Sequence, residues 1–323
     1  MSFSRRAFLG GGLAAPAMLR AGQVLTGAGL ALPLAATRAS AEPKFHSFQL
    51  GETEIIVLSD GGLSLPASTL AANVPDADRA AFLEVNGHDP ITRASPLNIT
   101  LIRRGDALVL VDTGAGMNFF ETAGQLADSI EEAGIDREAV THVALTHAHP
   151  DHVWGIIDDF DETERFPNAA YLIGAAEWDF WMDPDFIANN PEALHSFGLG
   201  AQRNLNAVAE KTERVGADHA VVPGVTMIAT PGHTPGHMSV LVEEGGQQLL
   251  VLGDALTHPS VSFAKPDWQP SSDQQPEIAA VTRRRLLDRA ATDGLMLIGY
   301  HLPWPGVGRA EAKDGAWRYV PAS

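Results

Sequence analysis

Residues Thr146–His152 read Thr-His-Ala-His-Pro-Asp-His, and they follow directly on the apolar run His142-Val143-Ala144-Leu145. Three imidazoles and one carboxylate are thereby crowded into six positions at the end of a strand-like segment. Imidazole nitrogen and carboxylate oxygen are the ligands zinc takes when thiolates are absent, and this chain has no cysteine. His147 and His149, two residues apart, point the same way from an extended backbone. Asp151 and His152 lie past the turn and can face a second ion. The competing reading is a solvated histidine-rich loop.

Two ions need more ligands than this run supplies, so distant partners are required. Three candidates each end an apolar run: His233 after Val225–Thr230, Asp254 after Gln248–Gly253, and His301 after Leu295–Tyr300. Taken singly, each reads as a cap or a hydrogen-bonded core residue. Together, with glycines nearby that admit close backbone approach, they complete a ligand set.

This pattern resembles the metallo-β-lactamase superfamily of metallohydrolases, with motifs running from Asp112 to His301. The resemblance implies an α/β fold of the αββα sandwich type and two divalent metal ions per chain, zinc by preference. It assigns His147, His149 and His233 to one metal, Asp151, His152 and His301 to the other, and makes Asp254 the bridge. Asp151 and Asp254 would hold the bridging hydroxide. Asp112, in Val109-Leu110-Val111-Asp112-Thr113-Gly114, corresponds to a group that orients ligands from behind. His237, in the Pro-Gly-His turn, is expected to be a hydrogen-bonding residue.

Charge narrows the substrate. The formal net charge is −18, and residues 1–41 hold four arginines and no acids, so the remainder carries 18 basic against 40 acidic side chains, or −22. Nucleic-acid binding draws its affinity from Lys and Arg neutralising phosphates, so no nucleic-acid partner is expected and a neutral small molecule is.

Ser4-Arg5-Arg6-Ala7-Phe8-Leu9 reads as a twin-arginine export motif, and Ala39-Ser40-Ala41 offers the small residues a signal peptidase needs. Residues 1–41 are therefore read as a signal peptide and 42–323 as the hydrolase domain, with the twin-arginine machinery as partner and the periplasm as destination. A second copy of the chain, forming a homodimer, stays open. The lack of cysteine leaves an oxidising compartment nothing to cross-link.

Strands are expected at 54–59, 97–103, 107–111, 140–145, 170–173, 225–229, 238–243, 248–252 and 295–298, and helices near 119–133, 175–182, 194–210 and 277–291. Helices interleave with strands in both halves, and every ligand candidate falls at a strand end, as a layered α/β protein requires. The acidic run 158–164 reads as a solvated loop, and Arg283-Arg284-Arg285 as the water-facing side of a helix.

Two metals sharing a water lower its pKa to roughly 7 and polarise the electrophile, which suits carboxylic esters, lactones, β-lactams, thioesters and phosphotriesters alike. Within the superfamily the resemblance runs to the methyl parathion hydrolase-like group, through Leu58-Ser59-Asp60-Gly61 and His301-Leu302-Pro303-Trp304-Pro305-Gly306. That group implies hydrolysis of aryl esters, lactones and organophosphate triesters in an aromatic-walled pocket. Phe119, Phe120, Trp181 and Phe197 are the candidate walls, with Leu65 and Thr257. Acyl-homoserine lactonases generally carry tyrosine where this chain has Thr257, which argues for substrates whose leaving oxygen is already stable as an anion. Acyl-homoserine lactone hydrolysis and β-lactam hydrolysis are the alternatives.

Overall fold

The computed structural model describes residues 43–322. The twin-arginine segment and Ala39–Ala41 lie outside them. The described residues form two seven-stranded sheets. In the first run β1 (Phe45–Leu50), β2 (Thr53–Pro66), β3 (Thr92–Arg104), β4 (Ala107–Val111), β5 (His142–Leu145), β6 (Ala170–Gly174) and β7 (Thr212–Val215), paired in chain order. The second holds β8 (His219–Val222), β9 (Val225–Ala229), β10 (Met238–Glu244), β11 (Gln247–Val251), β12 (Met296–Ile298), β13 (Val307–Lys313) and β14 (Ala316–Pro321).

Eight α-helices are described: α1 (Asp76–Val85), α2 (Leu126–Glu132), α3 (Pro150–Val153), α4 (Ala175–Trp181), α5 (Phe186–Asn189), α6 (His195–Ala207), α7 (Val261–Ala264) and α8 (Pro276–Asp293). Strands β4 to β7 run parallel, as do β11 and β12, and every other strand pairing is antiparallel. The β11–β12 pair needs a crossover, which α8 supplies.

Strands apolar on both faces explain the layering. In β2, Ile55 and Val57 enter a core shared with Val240, Val242 and Leu249 of the second sheet. Ile56 and Leu58, one residue out of phase, enter the outer core with Leu126 of α2, Trp178 of α4 and Leu205 of α6. On the far side Leu250 and Leu297 pack against Leu286, Leu287 and Ala290 of α8. The result is helix, sheet, sheet, helix.

Helix expectation fails at 119–125: only Leu126–Glu132 is helical, and the preceding segment is a loop that turns through Gly124 at φ 76°. The buried carboxylate of Asp60 fixes that loop, accepting from the backbone N–H groups of Ala115 at 2.8 Å and Leu126 at 2.7 Å. Burial pushes the Asp60 carboxyl up to about 6, against the pull of those N–H groups. Strand β1, the hairpin partner of the expected β2, and the β13–β14 hairpin are not expected from the sequence, because their polar, largely exposed sequences carry too little apolar alternation.

Arg283 corrects the reading of the arginine run. It is 2% exposed and lies on the helical stripe Ala279, Ala280, Arg283, Leu286, Leu287 and Ala290, all buried. Its Nη1 meets Asp273 at 2.7 Å, while Nε donates to the Pro266 carbonyl at 2.8 Å and Nη2 to that of Trp268 at 3.2 Å. Arg284, by contrast, pairs with Asp267 in solvent. Arg283→Met should cost about 3–5 kcal/mol, because it strands a buried carboxylate. Arg284→Met should cost at most about 1 kcal/mol. Urea denaturation of the two variants checks this, and equal small losses would contradict the buried pair.

Candidate metal centre

The candidate ligands follow strand ends. Leu145 ends β5, and His147 and His149 follow in the turn before α3, whose first residues carry Asp151 and His152. His233 comes from the loop between β9 and β10, Asp254 from just beyond β11, and His301 from just beyond β12. Three triads form: His147, His149 and His233; His147, His152 and Asp254; Asp151, His152 and His301. Within each triad the ligand atoms lie within 4.8 Å of one another.

The ring nitrogens facing away from the centre are held by the protein, which fixes the inward ones as lone-pair donors. His152 Nδ1 donates to Asp112 at 2.8 Å, His233 Nδ1 to Asp273 at 3.1 Å, and His301 Nδ1 to the Pro96 carbonyl at 3.0 Å. Thr146 gives its hydroxyl hydrogen to Asp112 at 2.8 Å, so its oxygen accepts from His147 Nδ1 at 3.0 Å. His149 is reversed: its Nδ1 lies 3.0 Å from His147 Nε2 and 2.9 Å from His233 Nε2, and the Gln274 amide stands 3.3 Å behind its Nε2.

Asp254 spans both groups. Its Oδ1 is 3.3 Å from His152 Nε2, and its Oδ2 is 3.3 Å from His233 Nε2 and 3.2 Å from His301 Nε2. Burial raises the Asp254 pKa, but His301, His152 and His233 hold it well below the carboxylate range. Burial and the adjoining imidazoles hold His147 and His149 well below the usual histidine value, so both are neutral. His152 Nε2 and Asp254 Oδ1 are buried and lack hydrogen-bond partners. Converging lone pairs with two orphaned atoms among them fit divalent metal ions, and the N/O donor set suits zinc.

Two residues outside the ligand set hold the frame. His237 donates Nδ1–H to the Thr230 carbonyl at 3.1 Å and accepts the Asp254 backbone N–H on Nε2 at 3.0 Å. It thus aims Asp254, with both of its ring nitrogens engaged. A Cβ on Gly253, at φ 54°, would come within 2.7 Å of that nitrogen, so the approach requires glycine. Asp112 adopts φ 65°, an uncommon conformation for a residue with a Cβ. There its carboxylate receives the Thr146 N–H at 2.7 Å as well as His152.

A cavity of about 800 Å³ opens onto His149, Asp151, His233, Asp254 and His301. Leu65, Phe119, Phe120, Phe197 and Thr257 line it. Trp181 does not, and this corrects its assignment as a wall. It is fully buried, stacks on Phe186 at 5.3 Å, and presents its ring to His149 edgewise at 5.6 Å. Its indole N–H donates to Glu177 at 2.6 Å, a partner that only the interior provides. One residue earlier on α4, Phe180 faces the cavity instead.

Sequence reasoning also missed Glu177, Asp273, Gln274 and Arg93. Glu177 is fully buried and accepts from Ala148 N–H at 3.0 Å, Thr234 hydroxyl at 2.6 Å and Gly236 N–H at 3.0 Å, besides Trp181. One carboxylate thus ties the His147–His149 turn to the His233 loop. Nothing in the local sequence marks it, whereas Asp273 was findable through the stripe position of Arg283.

The sequence profile of the metallo-beta-lactamase superfamily matches residues 92–301. In structure the chain is similar to AidC, a dizinc quorum-quenching lactonase solved with the product N-hexanoyl-L-homoserine. Identity is 30%, coverage 86% of this chain and 97% of that one, and the TM-score 0.81. It is also similar to AbOPH, a hydrolase of the beta-lactamase superfamily, at 28% identity over 87% and 98% of the chains with TM-score 0.79. Among curated proteins, the N-acyl homoserine lactonase AttM of Rhizobium radiobacter is 33% identical over 39% of this chain and 44% of its own length. A probable metallo-hydrolase of Mycobacterium tuberculosis is 28% identical over 50% and 57%. The chain spans about half the length of these curated relatives. The family match runs from the strand that carries Pro96 to His301, and the chain belongs to the metallo-beta-lactamase superfamily.

Proposed function

We propose that this chain is a metal-dependent hydrolase of lactones and neutral carboxylic esters, working with two divalent ions, zinc by preference. The observation that carries the reading is one cavity joining an aromatic wall to a buried His/Asp ligand set. Bound there, two ions supply water activation at neutral pH and polarisation of the scissile carbonyl. The chain's own residues position the rest. Asp254 spans the two ligand groups, and Phe119, Phe120, Phe180 and Phe197 receive the apolar part of the substrate and exclude water from it. Thr257 lines the cavity without offering a phenol to the leaving group.

Aryl esters, phenolic lactones and nitrophenyl phosphotriesters are therefore the favoured substrates. A second reading, N-acyl homoserine lactone hydrolysis, is supported by the likeness to AidC and AttM. We further propose export through the twin-arginine route to the periplasm, supported by Arg5 and Arg6.

Asp254→Asn should reduce bound zinc from two ions per chain toward one and lower kcat more than a hundredfold, measured by metal analysis and ester hydrolysis on the same sample. Two retained ions with over a tenth of wild-type kcat would defeat the dinuclear assignment.

A panel of dihydrocoumarin, p-nitrophenyl acetate, methyl parathion, a cephalosporin and N-hexanoyl homoserine lactone tests the substrate class. Dihydrocoumarin should show the highest kcat/KM of the two lactones; the reverse order replaces the leaving-group reading by the quorum-quenching one. Offset aromatic contacts contribute about 0.5–1.5 kcal/mol each, so Phe197→Ala should lower kcat/KM on aryl substrates roughly threefold to tenfold.

Replacing Arg5 and Arg6 together by Lys should leave uncleaved precursor in the cytoplasm, because lysine does not reproduce the paired guanidinium groups. Undiminished periplasmic activity in cell fractions would refute the export route.

A further inference from the structure

Arg93 is the one Lys or Arg side chain lining the cavity among the described residues. It comes from β3, opposite Leu65 in the β2 pairing and three residues before Pro96, whose carbonyl holds the ligand His301. Its Nε donates to Thr69 Oγ1 at 3.2 Å, and Thr69 in turn donates to the Pro66 carbonyl at 2.7 Å. The guanidinium is thereby held from behind. Its Nη1 is shielded from solvent and meets no acceptor.

Unpaired buried guanidinium nitrogens are costly, and the surroundings do not supply a carboxylate at ion-pair distance. Burial works against the charge, while Asp254 and Asp151 favour it through space. Neighbouring His258 is held neutral, its pKa depressed to about 3 by burial, His88 and Arg93 itself. Asp273, which also lines the cavity, is already engaged by Arg283 and His233. A guanidinium fork matches planar oxygen acceptors.

We infer that Arg93 is a specificity-determining residue that binds a carbonyl or carboxylate oxygen of the substrate other than the one undergoing attack. The substrate class is then a lactone or ester with an apolar arm for the phenylalanines and a second oxygen acceptor for Arg93. This rests on the lactone and ester reading above and adds a recognition element to it. The acidic body of the protein favours neutral molecules over anions in general; Arg93 offers one local exception, lining the cavity it shares with the candidate metal ligands.

Two lactones with equally poor, aliphatic leaving groups isolate the effect. N-hexanoyl homoserine lactone carries an amide carbonyl beside its ring ester, and γ-butyrolactone does not. In the zinc-loaded protein, Arg93→Met should lower the ratio of kcat/KM for the acyl lactone to that for γ-butyrolactone about tenfold or more, chiefly through KM. Arg93→Lys should recover part of that ratio. An unchanged ratio, with or without equal losses on both lactones, overturns the proposal and leaves Arg93 a structural role.

Calorimetric titration with hexanoate, an apolar chain ending in a carboxylate, gives a readout without turnover. Binding should weaken about fivefold or more in Arg93→Met; equal affinity in wild type and variant, or no binding to wild type, overturns the assignment. Should wild type hold two zinc ions yet cleave neither lactone, the hexanoate titration alone decides on Arg93, and the hydrolysis reading fails only if dihydrocoumarin is spared as well.

Discussion

The structure depends on bringing imidazole nitrogens and carboxylate oxygens to a single buried point. Burial strips these groups of water, so something must hold them in place. The protein does this from behind: the outward ring nitrogens of His147, His152, His233 and His301 are each engaged by Thr146, Asp112, Asp273 or the Pro96 carbonyl. These bonds choose the tautomer, and the tautomer leaves Nε2 free to accept a metal.

That orienting layer is itself anchored in elements remote from the site. Arg283 on α8 neutralises Asp273, so helix packing against the second sheet reaches His233 in two steps. Glu177 on α4 collects donors from both metal loops, joining segments more than fifty residues apart in sequence. Each is a buried charge satisfied by several partners, the arrangement in which removing one member is far more damaging than its net contribution suggests. Geometry at the centre is thus a property of the sandwich as a whole.

The cavity divides the work of recognition between surface types. Phe119, Phe197 and their neighbours offer apolar area with little directional demand, while the candidate metal ligands present nitrogen and oxygen atoms at fixed positions. Phe119 packs edgewise on Phe120, Trp154 and Phe197, so this wall is a cluster and not a set of independent rings. Asp60 of β2 secures the loop that carries two of these rings, its carboxylate accepting from the Ala115 and Leu126 backbone N–H groups. Wall and centre are consequently held by separate buried carboxylates.

Short-range pattern determined much of this. The ligand run 147–152, the strand-end positions of His233, Asp254 and His301, and most of the inner strands were legible because apolar alternation and metal-ligand chemistry both act over a few residues. Tertiary structure decided what depends on which face of an element is covered. Trp181 went to the core and Phe180 to the cavity because adjacent helical residues lie about 100° apart and only the interior held a partner for the indole N–H. Arg283 left the solvent face for the same reason: Asp273 and two carbonyls wait on the buried one. Long-range partners such as Glu177 with Gly236, or Arg93 with the cavity it shares with Asp254, have no local signature, since the sequence does not state which burials coincide in space.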